Sequence, residues 1–313
     1  MPASAPDLLR LLAVPVLVWA AYRDVKTRRV PNRTWKPLFA LAVVLFLWDG
    51  IASYFAAGLT WAFFVVGAGI SLLIVIPASY GFWRFGAFGG ADAKALIVLA
   101  LLFPTYPTYE IGSYLLPLVQ TPTGAFSLTI LSNTVLVGVC YPLVLAIRNA
   151  LAGRFTPLMI VGWPIGWDEA VRTHGRLLEN PDGFTRSGLD LDALRMYLRW
   201  RGVALLDLRE EPTRYRDPGS LPAEPYSAGD GMITDGQGEV KDDWGAEAFL
   251  ADVGSAYGTT PGGLREGLDL LTTRDTVWVS PGIPFLVPIL CGLLISLTYG
   301  DLLTSALSLL GVL

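Results

Sequence analysis

Charge is scarce in this sequence. Only 16% of its 313 residues are charged, against roughly 25% in an ordinary soluble domain. Apolar residues make up 53% of the chain, and the mean hydropathy is +0.50. This composition excludes an ordinary soluble domain and is typical of a polytopic membrane protein.

Cysteine and histidine are also scarce, with two cysteines, Cys140 and Cys291, and one histidine, His174. The cysteines form no CxxC pair, which argues against structural zinc and a thioredoxin-type centre. One histidine excludes a multi-histidine metal site, and no nucleophile motif lies near it, so we expect an ordinary surface or capping residue. There is no phosphate-binding loop and no extended basic face. We therefore expect no metal, no cofactor and no nucleic-acid partner.

Long apolar runs dominate the chain instead. Six of them approach the length of about 20 apolar residues that crosses a bilayer as a helix: 6–22, 37–55, 60–83, 92–108, 124–147 and 281–299. Pro104 and Pro107 interrupt the fourth run. The charges that flank the first run are wrong for a cleaved signal peptide, so we retain it as a helix. The predicted fold is an α-helical polytopic membrane protein with about six transmembrane helices.

Basic residues indicate how these helices are oriented. Between the first two runs a single acid, Asp24, is accompanied by six basic residues: Arg23, Lys26, Arg28, Arg29, Arg33 and Lys36. Cytoplasmic loops carry the excess of lysine and arginine, so this loop is expected in the cytoplasm. The turn at 84–91 then returns to the cytoplasm, and 109–123 lies outside. Asp24 and Asp92 are accordingly expected on the same, cytoplasmic, membrane face.

Residues 149–278 break the apolar pattern. They contain 21 of the 27 acidic and 13 of the 23 basic residues, a net charge of −8, and no run long enough to span a membrane. We expect a small α+β cytoplasmic insert before the last helix. The predicted domains are therefore a membrane catalytic core at 1–148, the insert at 149–278, and a final transmembrane helix with its tail at 279–313.

Local patterns predict some elements of the insert. Residues 189–202 have apolar side chains at helical spacing, which predicts an amphipathic helix. Short strands are predicted at 203–208 and 277–280. Residues 214–239 are rich in glycine, proline and aspartate, which is typical of a loop or a disordered segment.

Two aspartates at the cytoplasmic ends of apolar runs form the candidate site. Asp92 lies in FGGADAKAL (88–96) at the start of an apolar segment, where a lone carboxylate must reach water or hold a proton. The preceding Gly89 and Gly90 allow close approach of another chain. Each aspartate also has a structural interpretation: Asp92 as a helix N-terminal cap, and Asp24 as a charge partner of its basic neighbours.

Together the two aspartates indicate more than either alone. Two carboxylates within a few ångströms cannot both ionise easily, so they share a proton and can hold a water molecule between them. One acts as a base on the water while the other, protonated, polarises the scissile carbonyl. This is the chemistry of an aspartic protease at a membrane face.

The segments DVKTRRVPN (24–32) and GGADAK (89–94), in this order, resemble the motifs of the type IV prepilin peptidases, and more closely those of archaeal preflagellin and prepilin peptidases. These are intramembrane aspartyl proteases of the GxGD type. The resemblance covers 1–148 well and extends to WVSPGIPFLVPI (278–289), which is similar to the proline-rich start of the family's final helix.

This resemblance implies the roles of particular residues. The catalytic pair falls on Asp24 and Asp92, and four neighbours of Asp92 are expected to shape the site or bind substrate: Gly89, Gly90, Ala91 and Lys94. Ala91 stands where the GxGD pattern has its second glycine, a mild departure. We also expect Pro31 to end the first helix and Asn32 to cap the second.

The resemblance also implies the substrates, which are prepilin or preflagellin precursors whose apolar helix sits in the lipid bilayer and whose short basic leader stays in the cytoplasm. The chain lacks the cysteine-rich segment of bacterial bifunctional members, so peptidase activity alone is expected. The acidic insert either attracts the basic leader or only keeps itself soluble.

Two other classes stay open. A metal-dependent lipid head-group enzyme uses acids clustered on one or two helices, whereas the acids outside the insert are scattered singly. A non-enzymatic transporter or scaffold also places acids along ion paths. Loss of activity on metal chelation favours the first class, and intact function with both aspartates replaced favours the second. The sequence leaves the oligomeric state open.

Overall fold

A computed structural model describes residues 4–27, 30–86, 89–185, 187–221, 242–280 and 284–311. The chain folds into two compact units, Met1–Tyr141 with Pro284–Leu313, and Pro142–Ile283. We call the first the helical unit and the second the polar unit. Most of 214–239, predicted above as a loop, lies outside the described residues.

Helices dominate the described residues, with a small strand-containing region, as the sequence predicts. In chain order the α-helices are α1 Ala5–Arg10, α2 Ala13–Thr27, α3 Trp35–Ala56, α4 Gly58–Ile70, α5 Ile76–Arg84, α6 Gly90–Leu102, α7 Phe126–Leu151, α8 Leu191–Arg201, α9 Leu205–Glu210, α10 Pro212–Arg216, α11 Ala246–Val253, α12 Pro261–Thr273, α13 Leu286–Thr298 and α14 Leu302–Leu309. The strands are β1 Tyr109–Ile111, β2 Tyr114–Leu116, β3 Trp163–Gly166, β4 Arg176–Leu177, β5 Glu179–Asn180, β6 Gly183–Phe184 and β7 Thr276–Ser280.

Four helical segments in the described part of the chain are long and apolar enough to cross a membrane: Ala5–Thr27, Asn32–Ala56, Gly58–Arg84 and Phe126–Leu151. They coincide with four of the six predicted runs. The other two runs form α6 and α13, of 13 residues each. A helix of that length is about 20 Å long, short of a hydrocarbon core of about 30 Å. The prediction of six spans is therefore not confirmed.

Helix α6 is the most enclosed helix of its unit's core. It packs against α3, α5 and α13, and eight of its 13 residues are buried. The helix ends at Leu102 because Pro104 disfavours a helical backbone at Phe103, where ψ is 62°. Neighbouring helices, and not lipid, therefore surround most of this short segment.

Helices α7 and α13 approach closely through small and polar residues. A Cβ on Gly292 of α13 would lie 2.4 Å from Thr134 Oγ1 and 2.7 Å from the Thr134 backbone nitrogen. The buried Asn133 donates from Nδ2 to Ser296 Oγ at 2.9 Å and to the Gly300 carbonyl at 2.8 Å. Lipid tails are as apolar as the helix side chains, so the hydrophobic effect does not favour association of helices in a bilayer. Close packing and interhelical hydrogen bonds hold such helices together instead.

A buried arginine joins the ends of three helices. Arg10, the last residue of α1, forms ion pairs with Asp7 and with Asp49 of α3. Its Nε donates to the Leu102 carbonyl at the end of α6, at 2.8 Å. The Tyr109 hydroxyl donates to the Asp7 carbonyl at 3.0 Å. A charge among apolar side chains is stable only when it is paired, so this network holds the ends of α1, α3 and α6 side by side.

The polar unit is a mixed α+β fold. Its three-stranded antiparallel sheet has the order β3-β7-β4. A separate apolar core includes Leu194, Tyr197, Phe249 and Leu268, from α8, α11 and α12, and Val277 of β7. Burial, with smaller opposing contributions from the Arg201 charge, raises the pKa of Tyr197 to about 12.

The element predictions for this region have different outcomes. The helix predicted at 189–202 is confirmed as α8, and the strand predicted at 277–280 is confirmed as β7. The strand predicted at 203–208 is wrong, because these residues begin α9. The Asp207 carboxylate accepts the Ala204 N–H at 2.7 Å, which satisfies a free donor at a helix start.

Gly292→Ala should destabilise the helical unit, because the added methyl group would collide with Thr134 and push α7 and α13 apart. Overpacking of this kind costs about 1–3 kcal/mol. The matched control is Gly69→Ala in α4, where a Cβ meets no described atom within 4 Å. Thermal unfolding in detergent, followed by circular dichroism, should give a lower Tm for Gly292→Ala alone. Equal midpoints for both variants would contradict the close contact.

Candidate active site

Asp24 lies in the last turn of α2, on the side of the helix that faces the core. Ala13, Leu17 and Ala20 are fully buried, and positions 13, 17, 20 and 24 follow the spacing of one helix face. Asp24 itself is half-buried. It therefore ends the buried stripe of α2 at a point that remains accessible.

Asp92 lies in the first turn of α6 and is 8% exposed. Its Oδ2 accepts a hydrogen bond from the Gly89 backbone N–H at 3.0 Å. This is the N-terminal cap that the structural interpretation of Asp92 predicts, and the helix dipole favours a carboxylate at that end. A cap does not exclude a chemical role, because it requires only one oxygen of the carboxylate.

The two aspartates lie at the same end of the helical unit. Arg10, just before α2, contacts Leu102 at the end of α6, so the end of α2 and the start of α6 both point away from that contact. Lys94 Nζ donates to Asn32 Oδ1 at 2.6 Å, which joins the start of α6 to the segment that follows α2. Helix α13 packs against both α2 and α6.

The small residues before Asp92 have separate roles. A Cβ on Gly89 would lie 2.9 Å from Asp92 Oδ2, so a larger residue would make the carboxylate shift from its present position. A Cβ on Gly90 would lie 3.4 Å from Trp83 Nε1 of α5. Ala91 is half-buried and packs against the apolar core. No periodic pattern in the sequence predicts the contact between Gly90 and Trp83, because the two residues lie on different helices.

Lys94 faces a groove of about 460 Å³ at the side of α6. The other residues that line it are Asn32, Trp35, Lys36, Phe39, Ile97 and Val98. Trp35 is buried, and its indole N–H has no acceptor among the described residues. The groove therefore combines an apolar wall with two ammonium groups and an unused donor. The sequence alone does not distinguish Trp35 from the other apolar residues near the start of α3.

The predicted cap on Asn32 is wrong. Asn32 begins a short 3-10 turn, Asn32–Thr34, whose N-cap is Pro31, and no side-chain cap bond is made there. Its side chain accepts from Lys94 instead. The physical reason is that the turn is entered through an extended proline, which places Asn32 inside the turn and not before it.

The histidine and the two cysteines lie on other elements or loops of the fold. His174 is exposed, as expected, and its Nδ1 lies 3.1 Å from Asp192 Oδ1. Burial raises the pKa of Asp192, but hydrogen bonds from His174 and Arg195 outweigh it and leave that pKa below its ordinary value. Cys140 and Cys291 are free thiols in α7 and α13. Within the described ranges, no three His, Cys, Asp or Glu side chains are grouped to hold a metal ion.

Several apolar helices long enough to cross a bilayer define a multi-pass membrane protein. The family models agree with this class. The type IV leader peptidase family matches residues 11–145, and the archaeal peptidase A24 C-terminus, type II, matches residues 262–302. Over these residues the chain is similar to the type IV leader peptidases, and more specifically to their archaeal members. A comparison with curated proteins finds no match.

The two matches indicate the kind of reaction. The chain is a membrane peptidase of the type that removes leader peptides from prepilin and preflagellin precursors. Asp24, Asp92 and the small residues before Asp92 all fall within the first match.

Gly89→Ala should displace the Asp92 carboxylate, because the new methyl group would lie 2.9 Å from Oδ2. A misplacement of about 1 Å at a reacting group lowers rates by about 100-fold, so cleavage of a prepilin-type precursor, read as a mobility shift, should fall by that order. Gly81→Ala in α5 is the control, since a Cβ there meets no described atom within 4 Å. Equal cleavage by both variants would show that the carboxylate position does not limit the reaction.

Proposed function

We propose that this leader peptidase is an aspartic-type endopeptidase with Asp24 and Asp92 as its catalytic pair. In this proposal it cuts prepilin or preflagellin precursors at the cytoplasmic membrane face and releases the short basic leader. The observation that carries the proposal is that the two carboxylates share one end of the helical unit, inside the family match at 11–145.

The proposed reaction uses one ionised and one protonated carboxyl group with a water molecule between them. The ionised group takes a proton from the water as the water oxygen attacks the scissile carbonyl carbon. The protonated group gives its proton to the carbonyl oxygen. When the tetrahedral intermediate collapses, the ionised group takes the proton of one hydroxyl, the protonated group gives its proton to the leaving nitrogen, and the C–N bond breaks. The pair again holds one proton. The products are a leader with a new carboxylate and a mature subunit with a new amine.

The groove beside α6 suits the part of the substrate that follows the cut. Its wall of Trp35, Phe39 and Ile97 is apolar, as is the membrane helix of a prepilin-type precursor. Lys36 and Lys94 would repel the basic leader, so the leader is expected to leave the site on another side. Lys94, with Gly89, Gly90 and Ala91, would then align the backbone of the substrate against Asp92.

The orientation and the number of membrane segments belong to the same proposal. The basic loop around Asp24 favours a cytoplasmic site by the positive-inside bias. We infer six membrane segments, with α6 and α13 as short helices held by their neighbours. We also retain the division into a core at 1–148, a cytoplasmic domain at 149–278 and a final segment at 279–313. The acidic character of the middle domain favours attraction of a basic leader.

The two other classes considered from the sequence have less support. The match to a leader peptidase family favours peptide hydrolysis over lipid head-group chemistry, transport or a scaffold role. The acids of the helical unit lie on different elements, and no three of them are grouped among the described residues. They are Asp7 in α1, Asp24 in α2, Asp49 in α3, Asp92 in α6, Glu110 in β1 and Asp301 at the N-cap of α14. Such a distribution does not offer the clustered ligands that a divalent ion requires.

Asp24→Asn and Asp92→Asn should each abolish cleavage of a co-expressed prepilin-type precursor. Loss of an acid or base that moves a proton in the transition state lowers rates by about 10²–10⁴-fold. The amide oxygen of asparagine can accept the Gly89 N–H as the carboxylate does, so Asp92→Asn keeps this hydrogen bond and removes the titrating group. Thermal unfolding in detergent should therefore change little.

The control for this pair is Glu110→Gln, an exposed carboxylate in β1. It should leave cleavage at the level of the unchanged protein. If Asp24→Asn or Asp92→Asn cleaves the precursor about as fast as Glu110→Gln, the aspartyl assignment is wrong. Another group then performs the hydrolysis.

Membrane orientation is tested by single cysteines in a Cys140→Ala, Cys291→Ala background. An impermeant maleimide applied to intact cells should label Ser113→Cys, in the turn between β1 and β2. Arg33→Cys and Ser187→Cys should react only after the membrane is opened, because the basic loop and the polar unit are expected inside. All three residues are exposed. Labelling of Ser187→Cys on intact cells would reverse the orientation and remove the site from its proposed substrate.

A further inference from the structure

The segment that follows the span α7 is fixed to the last turn of that helix. Asn149 is fully buried and donates from Nδ2 to the carbonyl of Met159 at 2.9 Å and to that of Gly162 at 2.8 Å. The Arg154 N–H donates back to the Asn149 carbonyl at 2.9 Å. Residues 154–162 therefore fold onto the helix end, and the end of α7 sets their distance from the bilayer.

Large apolar side chains project from this fixed segment and from the neighbouring strand β6. Phe155 is 76% exposed, Ile160 51% and Phe184 55%, and Val161 is also exposed. We call these four residues the apolar face. Three of them, Ile160, Val161 and Phe184, line a groove of about 580 Å³ together with Leu158. Contiguous apolar surface of this kind is rare on a soluble domain and marks a contact surface.

Basic and aromatic side chains lie near the apolar face. The Arg148 guanidinium in the last turn of α7 lies 5.2 Å from the centre of the Trp163 ring. Arg154 is exposed, and Arg176 lies 3.7 Å from Asp190 in the wall of the groove. Arginine and tryptophan at the end of a span are typical of the lipid head-group layer. The groove is therefore mainly apolar, with the Arg176–Asp190 pair in its wall.

We propose that the apolar face rests in the interfacial layer of the bilayer that α7 crosses, and that lipid acyl chains fill the groove. Continuity with the span supports lipid as the occupant, because Asn149 ties the face to a helix whose preceding turns lie in the membrane. The exposed Asp182, two residues before Phe184, stays at the level of the head groups. Insertion is thus shallow, about 5–10 Å, as for interfacial helices.

This contact holds the polar unit to the membrane at a place besides its chain connections to α7 and α13. Interfacial binding grows with the apolar area that leaves water. The inference does not depend on the aspartyl proposal, because it concerns the polar unit alone and its test measures no cleavage.

The test uses full-length protein with single cysteines at Ile160→Cys and Phe184→Cys in a Cys140→Ala, Cys291→Ala background. Each cysteine is labelled with a nitrobenzoxadiazole maleimide, and the protein is reconstituted in phosphatidylcholine vesicles with or without brominated acyl chains. Probes about 5–10 Å deep, at the boundary between head groups and acyl chains, should lose fluorescence in the brominated vesicles relative to the unbrominated ones. Both positions are exposed, so labelling does not disturb the core.

The matched control is Leu206→Cys, an exposed leucine of α9 in the same unit. Arg209 of α9 donates to Asp275, just before β7 begins, whereas Ser280 at the other end of β7 lines the groove. A probe at position 206 therefore lies at the far end of the strand, and bromine should leave its fluorescence unchanged.

The outcomes separate lipid from other occupants. Quenching at positions 160 and 184, with none at 206, supports the proposal, and a probe at Phe155→Cys should follow the first two. Absence of quenching at 160 and 184 overturns it. If both probes then report an apolar environment, protein and not lipid covers the face. Equal quenching at all three positions also overturns it, since the whole unit would be membrane-associated without a specific face.

Discussion

Water must reach a charged group, or a partner must neutralise it, wherever that group lies in an apolar helical unit. This constraint determines where polar chemistry is found in the helical unit. Asp92 caps α6, Asp301 caps α14, and Arg10 is neutralised by Asp7 and Asp49. The middle turns of the helices are held together mainly by the packing of apolar side chains. A two-carboxylate site is compatible with this architecture only at a helix end, which is where Asp24 and Asp92 lie.

Packing in the helix middles depends on shape more than on hydrophobicity, because lipid is as apolar as the side chains. Gly292 lets α13 lie directly against Thr134 of α7, and Asn133 joins the same two helices by hydrogen bonds. With α13 against both α2 and α6, the helices that carry Asp24 and Asp92 share one support. Rigid support of this kind is what a pair of reacting groups requires.

Much of this architecture follows from the sequence, and its limits have physical reasons. Long apolar runs predict the four long segments, because a bilayer demands continuous apolar length. The same argument overestimates the length of α6. Neighbouring helices enclose this helix, so it does not need to span the whole bilayer, and Pro104 ends it early. The aspartates could be found from their positions beside glycines and basic residues. The contact between Asn32 and Lys94 could not, because it joins residues 62 positions apart that share no periodic pattern.

The chain order has a consequence for how this protein is made. Helix α13 belongs to the core of the helical unit, yet the ribosome synthesises it after the whole polar unit. While residues 142–283 emerge, the face of α2 and α6 that α13 later covers remains open, and lipid or an insertion factor must shield it. A chain that stops within the polar unit would therefore retain every residue of the family match at 11–145 and still leave its membrane core unfinished.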